Sequence, residues 1–173
     1  MENIINLNSY YKNKYDFHCD NFKELAVNIN NFKSKFKSNN IFELAEKIGF
    51  TFDKVTMEQN TLCKIEDKKI TFNKYIANKS KSALVAIVIM NHLLDIDKNI
   101  ITDDDLKTIL RDDYYLVFVE LLLIDGQTYL NIFKSLVPLN ISMDKAFKII
   151  QECFNVSYFI ALKRYDIMVK EKI

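Results

Sequence analysis

The chain has no tryptophan, and glycine and proline are nearly missing, with 2 Gly and 1 Pro in 173 residues. So few backbone breakers exclude a Gly-rich phosphate loop. They also argue against a barrel or sandwich, whose many turns use these residues. Histidine occurs twice, at His18 and His92. That leaves little for a Ser or Cys nucleophile needing an imidazole base, and no serine sits in a GxSxG elbow. Cys19, Cys63 and Cys153 are odd in number, widely spaced and never in a CxxC pair. Neither a disulfide framework nor a cysteine zinc site is indicated. No signal-peptide-like apolar segment opens the sequence, so the expectation is a reduced, cytoplasmic protein. The longest apolar run, Ala83 to Met90, is too short to span a bilayer. A net charge of +1 gives no global field to draw in DNA or an acidic membrane.

What is present is apolar and aromatic. Hydrophobic residues make up 49%, with 13 Phe and 9 Tyr, so rings supply much of the core. Apolar positions 22, 25, 26, 29, 32 and 36 follow one helix face, and a short helix over 41–48 ends at Gly49. The period then changes. Residues 50–55, 62–65 and 69–73 alternate as strands, with Glu66-Asp67-Lys68 as a hairpin turn. A helix capped by Ser80 or Ser82 follows, then a polar loop over 95–99. Thr102 caps a helix beginning Asp103-Asp104-Asp105, an acidic first turn that suits the helix dipole. Tyr114 to Ile124 is a nearly all-apolar helix, Asp125-Gly126 breaks it, and residues 129–136 are helical up to Val137-Pro138. Ser142 caps the next helix, Asn155-Val156-Ser157 turns the chain, and a final helix covers 158–168 as a helix-turn-helix-like corner. The expected fold is α+β and predominantly helical, with a small antiparallel sheet of about three strands on a helical core. The expected division is an N-terminal arm and helix (1–40), a core (41–138) and a C-terminal corner (139–173).

The charges are uneven. Lys33, Lys35 and Lys37 lie in a basic N-terminal quarter, Lys68 and Lys69 in the next stretch, and the acids fall later, at Asp103–Asp105, Asp112 and Asp113. A solvated surface explains scattered lysines; a basic contact patch is the competing reading. His18-Cys19-Asp20 has ligand-type residues, but adjacent side chains rarely converge on one ion. The run 103–105 lacks the alternating oxygens and Gly of a calcium loop, so helix capping explains it better. In the corner, Tyr158, Lys163, Arg164 and Asp166 read as exposed. Tyr158, Lys163 and Arg164 would be the contacts if the second helix entered a DNA groove.

Residues Ser82 to Asp95 form an apolar helix ending in His92. The segments Phe42–Phe50, Lys69–Asn73, Ser82–Leu94 and Cys153–Ser157 with Leu162–Tyr165, in that order, resemble the ImmA/IrrE family of metallopeptidase-like proteins of phages, integrative elements and bacterial stress regulation. The resemblance covers roughly residues 41–168. It implies a zincin-like core in which a His-Glu-x-x-His helix and a later helix hold zinc. In this chain the first histidine position is Val88, the glutamate position is Ile89, only His92 matches, and Tyr114 stands at the third-ligand position. The resemblance therefore implies a degenerate pseudo-protease with no cofactor and no zinc hydrolysis. Such a protein would act as a regulator or inhibitor of a phage or mobile element by binding a protein partner. Candidate contacts are Tyr10, Tyr11, Tyr15, Lys33, Lys35, Lys37, Lys68 and Lys69. Two alternatives remain within binding: a nucleic-acid-binding regulator using the corner or the lysine-rich region, and an inhibitor of a host defence nuclease. An unfamiliar enzyme using Asp104, Asp112, Asp113 and His92 ranks last.

Overall fold

The computed structural model describes residues 16–19 and 21–171. Helices α1 (Phe22–Phe36) and α2 (Ile41–Lys47) lead into strands β1 (Thr51–Val55), β2 (Thr61–Glu66) and β3 (Lys69–Asn73). Helix α3 (Asn78–Leu93), strand β4 (Ile100–Thr102) and helices α4 (Asp103–Ile109), α5 (Asp113–Leu123) and α6 (Gly126–Leu136) follow. A 3-10 turn (Val137–Leu139) leads to α7 (Met143–Phe154) and α8 (Tyr158–Glu171). The fold is α+β and predominantly helical, as its sequence pattern predicts.

Polar side chains start most of the helices. Asn21, Asn40, Asp112, Asp125 and Ser142 each accept a hydrogen bond from a first-turn N–H. Thr102 and Asp105 form a reciprocal capping box at α4. The exception is α3. It begins at Asn78 behind Ala77, without a side-chain cap, so neither Ser80 nor Ser82 is its N-cap. Ser82 is instead buried within α3, where its Oγ accepts a hydrogen bond from Asn155 Nδ2 at 3.3 Å. That bond ties the central helix to the turn of the C-terminal corner.

The sheet differs from the expected three-stranded antiparallel one. It has four strands in the order β1-β3-β2-β4, with β1 parallel to β3. Strand β2 pairs antiparallel with β3 on one side and with β4 on the other, so β1 cannot lie against β2. Three residues, Ile100–Thr102, form β4, too short to be read as a strand from alternation. The inner face carries Cys63, Ile70, Phe72 and Ile101, all buried, together with Phe52, whose ring stacks on Phe72. The outer face stays open, with Lys64, Glu66 and Ile100 exposed. One cluster of buried residues runs from Phe17 through α1, α3 and α5 to Ala161 on α8. Among the described residues, no single helix is long and apolar enough to cross a membrane.

The β2–β3 turn holds Asp67 at φ 45° and Lys68 at φ 64°. Both central residues are left-handed, a conformation in which glycine and asparagine are far better tolerated. Replacing the pair (Asp67→Asn with Lys68→Gly) is expected to raise the unfolding free energy by about 1 kcal/mol, as read by denaturant titration.

Candidate binding cleft and a buried charge cluster

Helix α3 is apolar on all sides because it is enclosed on all sides. Every residue from Ser82 to Asn91 is buried. Val88 is 4% exposed and Ile89 is sealed. At the end of the helix the chain opens into a cleft of about 280 Å³. Its floor is Phe50, Ile65, Val88 and Ile96; polar groups enter from Asn91, His92 and Lys68. The His92 ring meets Phe50 edge-on at 5.4 Å.

Two cleft residues have unused bonding capacity. Asn91 is 6% exposed, and among the described residues its side-chain amide has no hydrogen-bond partner. Lys68 Nζ donates to Ile48 O at 3.1 Å and lies 5.7 Å from the Phe50 ring centre. Among the described residues no carboxylate lies within 4.0 Å of it, and burial lowers its pKa. Lys98, also on the cleft wall, is already paired with Asp105 at 2.5 Å, and Asp67 and Asp97 are exposed on the rim.

The four positions matched to the zinc motif are only partly gathered. Val88 and His92 share the cleft wall, while Ile89 is fully buried in the core. Tyr114 does not line the cleft. Its hydroxyl donates to Phe17 O, and its ring packs on Phe118 and Tyr115. Asp112 caps α5, and Asp104 faces solvent in a pair with Lys107. Among the described residues, no three His, Cys, Asp or Glu side chains come together in a metal-holding group.

The candidate contact lysines do not form one patch. Lys35 and Lys37 are exposed at the end of α1, and Lys69 is exposed and paired with Asp53 at 2.9 Å. Lys33 was expected at the surface and is 4% exposed. It lies one residue from Phe32 on the inner side of α1, and its Nζ donates to Leu121 O at 3.3 Å. Burial pushes its pKa down to about 8. Tyr10, Tyr11, Tyr15 and Asp20 lie outside the described residues.

Arg164 also departs from its expected place. It is 2% exposed, because it follows Ile160 by one helical turn on the face of α8 that enters the core. Tyr158 and Lys163 are half-buried, with Lys163 Nζ 5.7 Å from the Phe159 ring centre. Phe159, beside Tyr158, is 42% exposed.

Arg164 belongs to a buried cluster with Glu120, Tyr129, Lys33 and Asp125. Glu120 is fully buried, and neither carboxyl oxygen has a hydrogen-bond partner; Arg164 Nε and Nη1 also lack one. Burial outweighs the attraction of Arg164 and raises the Glu120 pKa to about 8. Burial likewise lowers the pKa of Arg164. Asp125 is pushed up by burial, but hydrogen bonds from Thr128 and the charges of Lys33 and Arg164 hold it below the ordinary carboxylate range. The Tyr129 hydroxyl donates to Ala161 O at 3.0 Å, joining α6 to α8. A Cβ added at Gly126 would stand 2.8 Å from Arg164 Nη2, so the glycine at the α5–α6 elbow makes room for the guanidinium. Sequence reading missed this cluster. One carboxylate in the run YYLVFVELLLI was the available signal, since a buried ionisable group needs a partner or a shifted pKa.

No model of a known protein family matches the chain, and no curated protein matches it.

Proposed function

We propose that the chain is a non-catalytic regulator or inhibitor that binds a protein partner through the cleft at the end of α3. The observation that carries this reading is the cleft's make-up. An unpartnered, nearly buried amide at Asn91 and a lysine without a carboxylate at Lys68 border an apolar floor. Those are recognition groups: apolar area for affinity and a few polar atoms for orientation. A hydrolase would instead need a base, a nucleophile or metal-bound water, and an electrophile-stabilising group in mutual reach. Here Val88 and Ile89 put hydrocarbon at two of those positions.

The resemblance to the ImmA/IrrE family gives this reading its context. A scaffold that has lost its zinc ligands keeps a shaped cleft and acts by occupancy, in a phage or mobile element and in the cytoplasm. The partner would be a regulator or a host factor, a defence nuclease among them. The nucleic-acid alternative is weaker by one residue, since Arg164 is enclosed by the core and cannot reach a groove from its present position.

A photo-cross-linking amino acid placed at Ile65 or Asn99 in the full chain, expressed in the source cells, should give one discrete protein conjugate. The same probe at Lys134, on exposed α6, should not give it. Equal labelling from both places, or none from the cleft, would contradict the reading.

A further inference from the structure

We infer that the cleft at the end of α3 is a carboxylate-binding site, in which Lys68 supplies the charge and the Asn91 amide supplies hydrogen bonds. The inference rests on the partner-binding reading and names the group that the partner presents. Asn91 is the decisive residue. It is 6% exposed and has no side-chain partner, yet its amide is not among the sealed, unsatisfied polar groups of the interior. It therefore opens to the cleft it lines. Water satisfies such an amide in the free protein, and a ligand that displaces the water must replace its hydrogen bonds.

Lys68 supplies the second, independent feature. Among the described residues, Ile48 O alone accepts from its ammonium, which can donate three hydrogen bonds. Its side chain reaches back over Gly49, with Cδ 3.6 Å from where a Cβ would be, and the charge is held beside Phe50. It occupies a left-handed turn position that would suit glycine better.

The charge balance selects the ligand class. Lys98 is neutralised by Asp105, and Asp67 and Asp97 stand on the rim. With Asp67 and Asp97 on the rim the cleft carries no net positive charge, so Lys68 draws an anion only at close range, where one cation matches one negative charge and a phosphate dianion is disfavoured. The floor of Phe50, Ile65, Val88 and Ile96 suits a hydrocarbon stem. A carboxylate on a short apolar stem fits both features. A glutamate side chain of a protein and a free short-chain acid share that chemistry.

The test is NMR titration of the full chain at constant ionic strength. The probes are sodium propionate, a blocked Ala-Leu-Glu-Leu-Ala peptide, the same peptide with Gln for Glu, and sodium chloride. The carboxylate probes are expected to shift the Asn91 side-chain NH2 and the Lys68 signals saturably, whereas chloride and the Gln peptide do not. Lys68→Gly, which the turn geometry tolerates, and Asn91→Leu should each weaken binding by about tenfold or more. Tighter binding of the Glu peptide than of propionate assigns the carboxylate to a protein, and the reverse order to a free acid. Shifts equal with chloride, or as large at exposed Lys107 and Lys145 as in the cleft, overturn the inference. If cleft cross-linking still gives its discrete conjugate in that case, partner binding stands and the carboxylate alone is wrong. If cross-linking fails too, both fall.

Discussion

Arg164→Ala is expected to lower the unfolding free energy by about 3 kcal/mol, whereas Arg164→Met should change it by no more than about 1 kcal/mol. The side chain is 2% exposed and fills the space between the α5–α6 elbow and α8, against Gly126. Two of its nitrogens make no hydrogen bond, and the carboxyl of Glu120 does not come within ion-pairing distance. Its contribution therefore comes from the volume and apolar stem it places in the core, set against the cost of a desolvated charge. Alanine removes the volume and leaves a cavity that helices on several sides cannot close. Methionine keeps most of the volume and removes the charge. Denaturant unfolding at about pH 6 separates the two effects. If Met proves as harmful as Ala, the guanidinium charge is what holds the corner. A Lys163→Ala control, on the half-buried flank of α8, should stay within about 0.5 kcal/mol of the parent.

The second large effect is on pH dependence. Glu120 moves from 4.5 to about 8 on folding, so the folded state holds this proton more tightly than the unfolded chain. Its stabilising contribution is complete below about pH 4.5 and is lost as pH rises through about 8. At roughly 1.4 kcal/mol per pKa unit, the loss is on the order of 5 kcal/mol. Lys33 acts in the opposite sense and at higher pH. Its folded pKa is lowered from 10.5 to about 8, so the cost of burying its charge is present below about pH 8 and fades between there and about 10.5. Together they predict a stability that falls from about pH 5 to about pH 8 and turns upward beyond it. Asp105 and Asp125, held low by their partners, act at more acidic pH. Glu120→Gln removes the titration while keeping the shape, so its melting temperature should be nearly flat between pH 5 and 8. A parent curve already flat in that window, or a variant with the parent's slope, would show that Glu120 does not carry the effect.

Much of the architecture was legible because local rules decided it. Asn40, Thr102 and Ser142 carry side chains that satisfy first-turn N–H groups and mark helix starts where expected, whereas Asp125, read as a break, caps a helix that begins at Gly126, three residues before the expected Tyr129. The Asp67–Lys68 turn and the Asn155 corner were readable for the same reason. Pairing was not local. Which edge of β2 receives β4, and hence that β1 lies parallel to β3, depends on contacts nearly forty residues apart. Lys33, Glu120 and Arg164 were hidden by a different rule. Charged residues are presumed exposed, and the neighbours of Lys33 and Glu120 in the sequence do not reveal that each approaches Arg164. Two of them left a trace: Glu120 as the one carboxylate in an apolar run, and Arg164 four residues after the buried Ile160 on the inward face. Asn91 left none: an amide beside a histidine is unremarkable until its surroundings are seen to lack a partner.

If the end of α3 is the recognition surface proposed above, His92 binds no zinc. Metal analysis of the full chain, purified without chelator from zinc-supplemented cells, tests it most directly. The expected zinc content is far below one ion per chain, unchanged by His92→Ala. One zinc per chain in the parent, lost in His92→Ala, would contradict it.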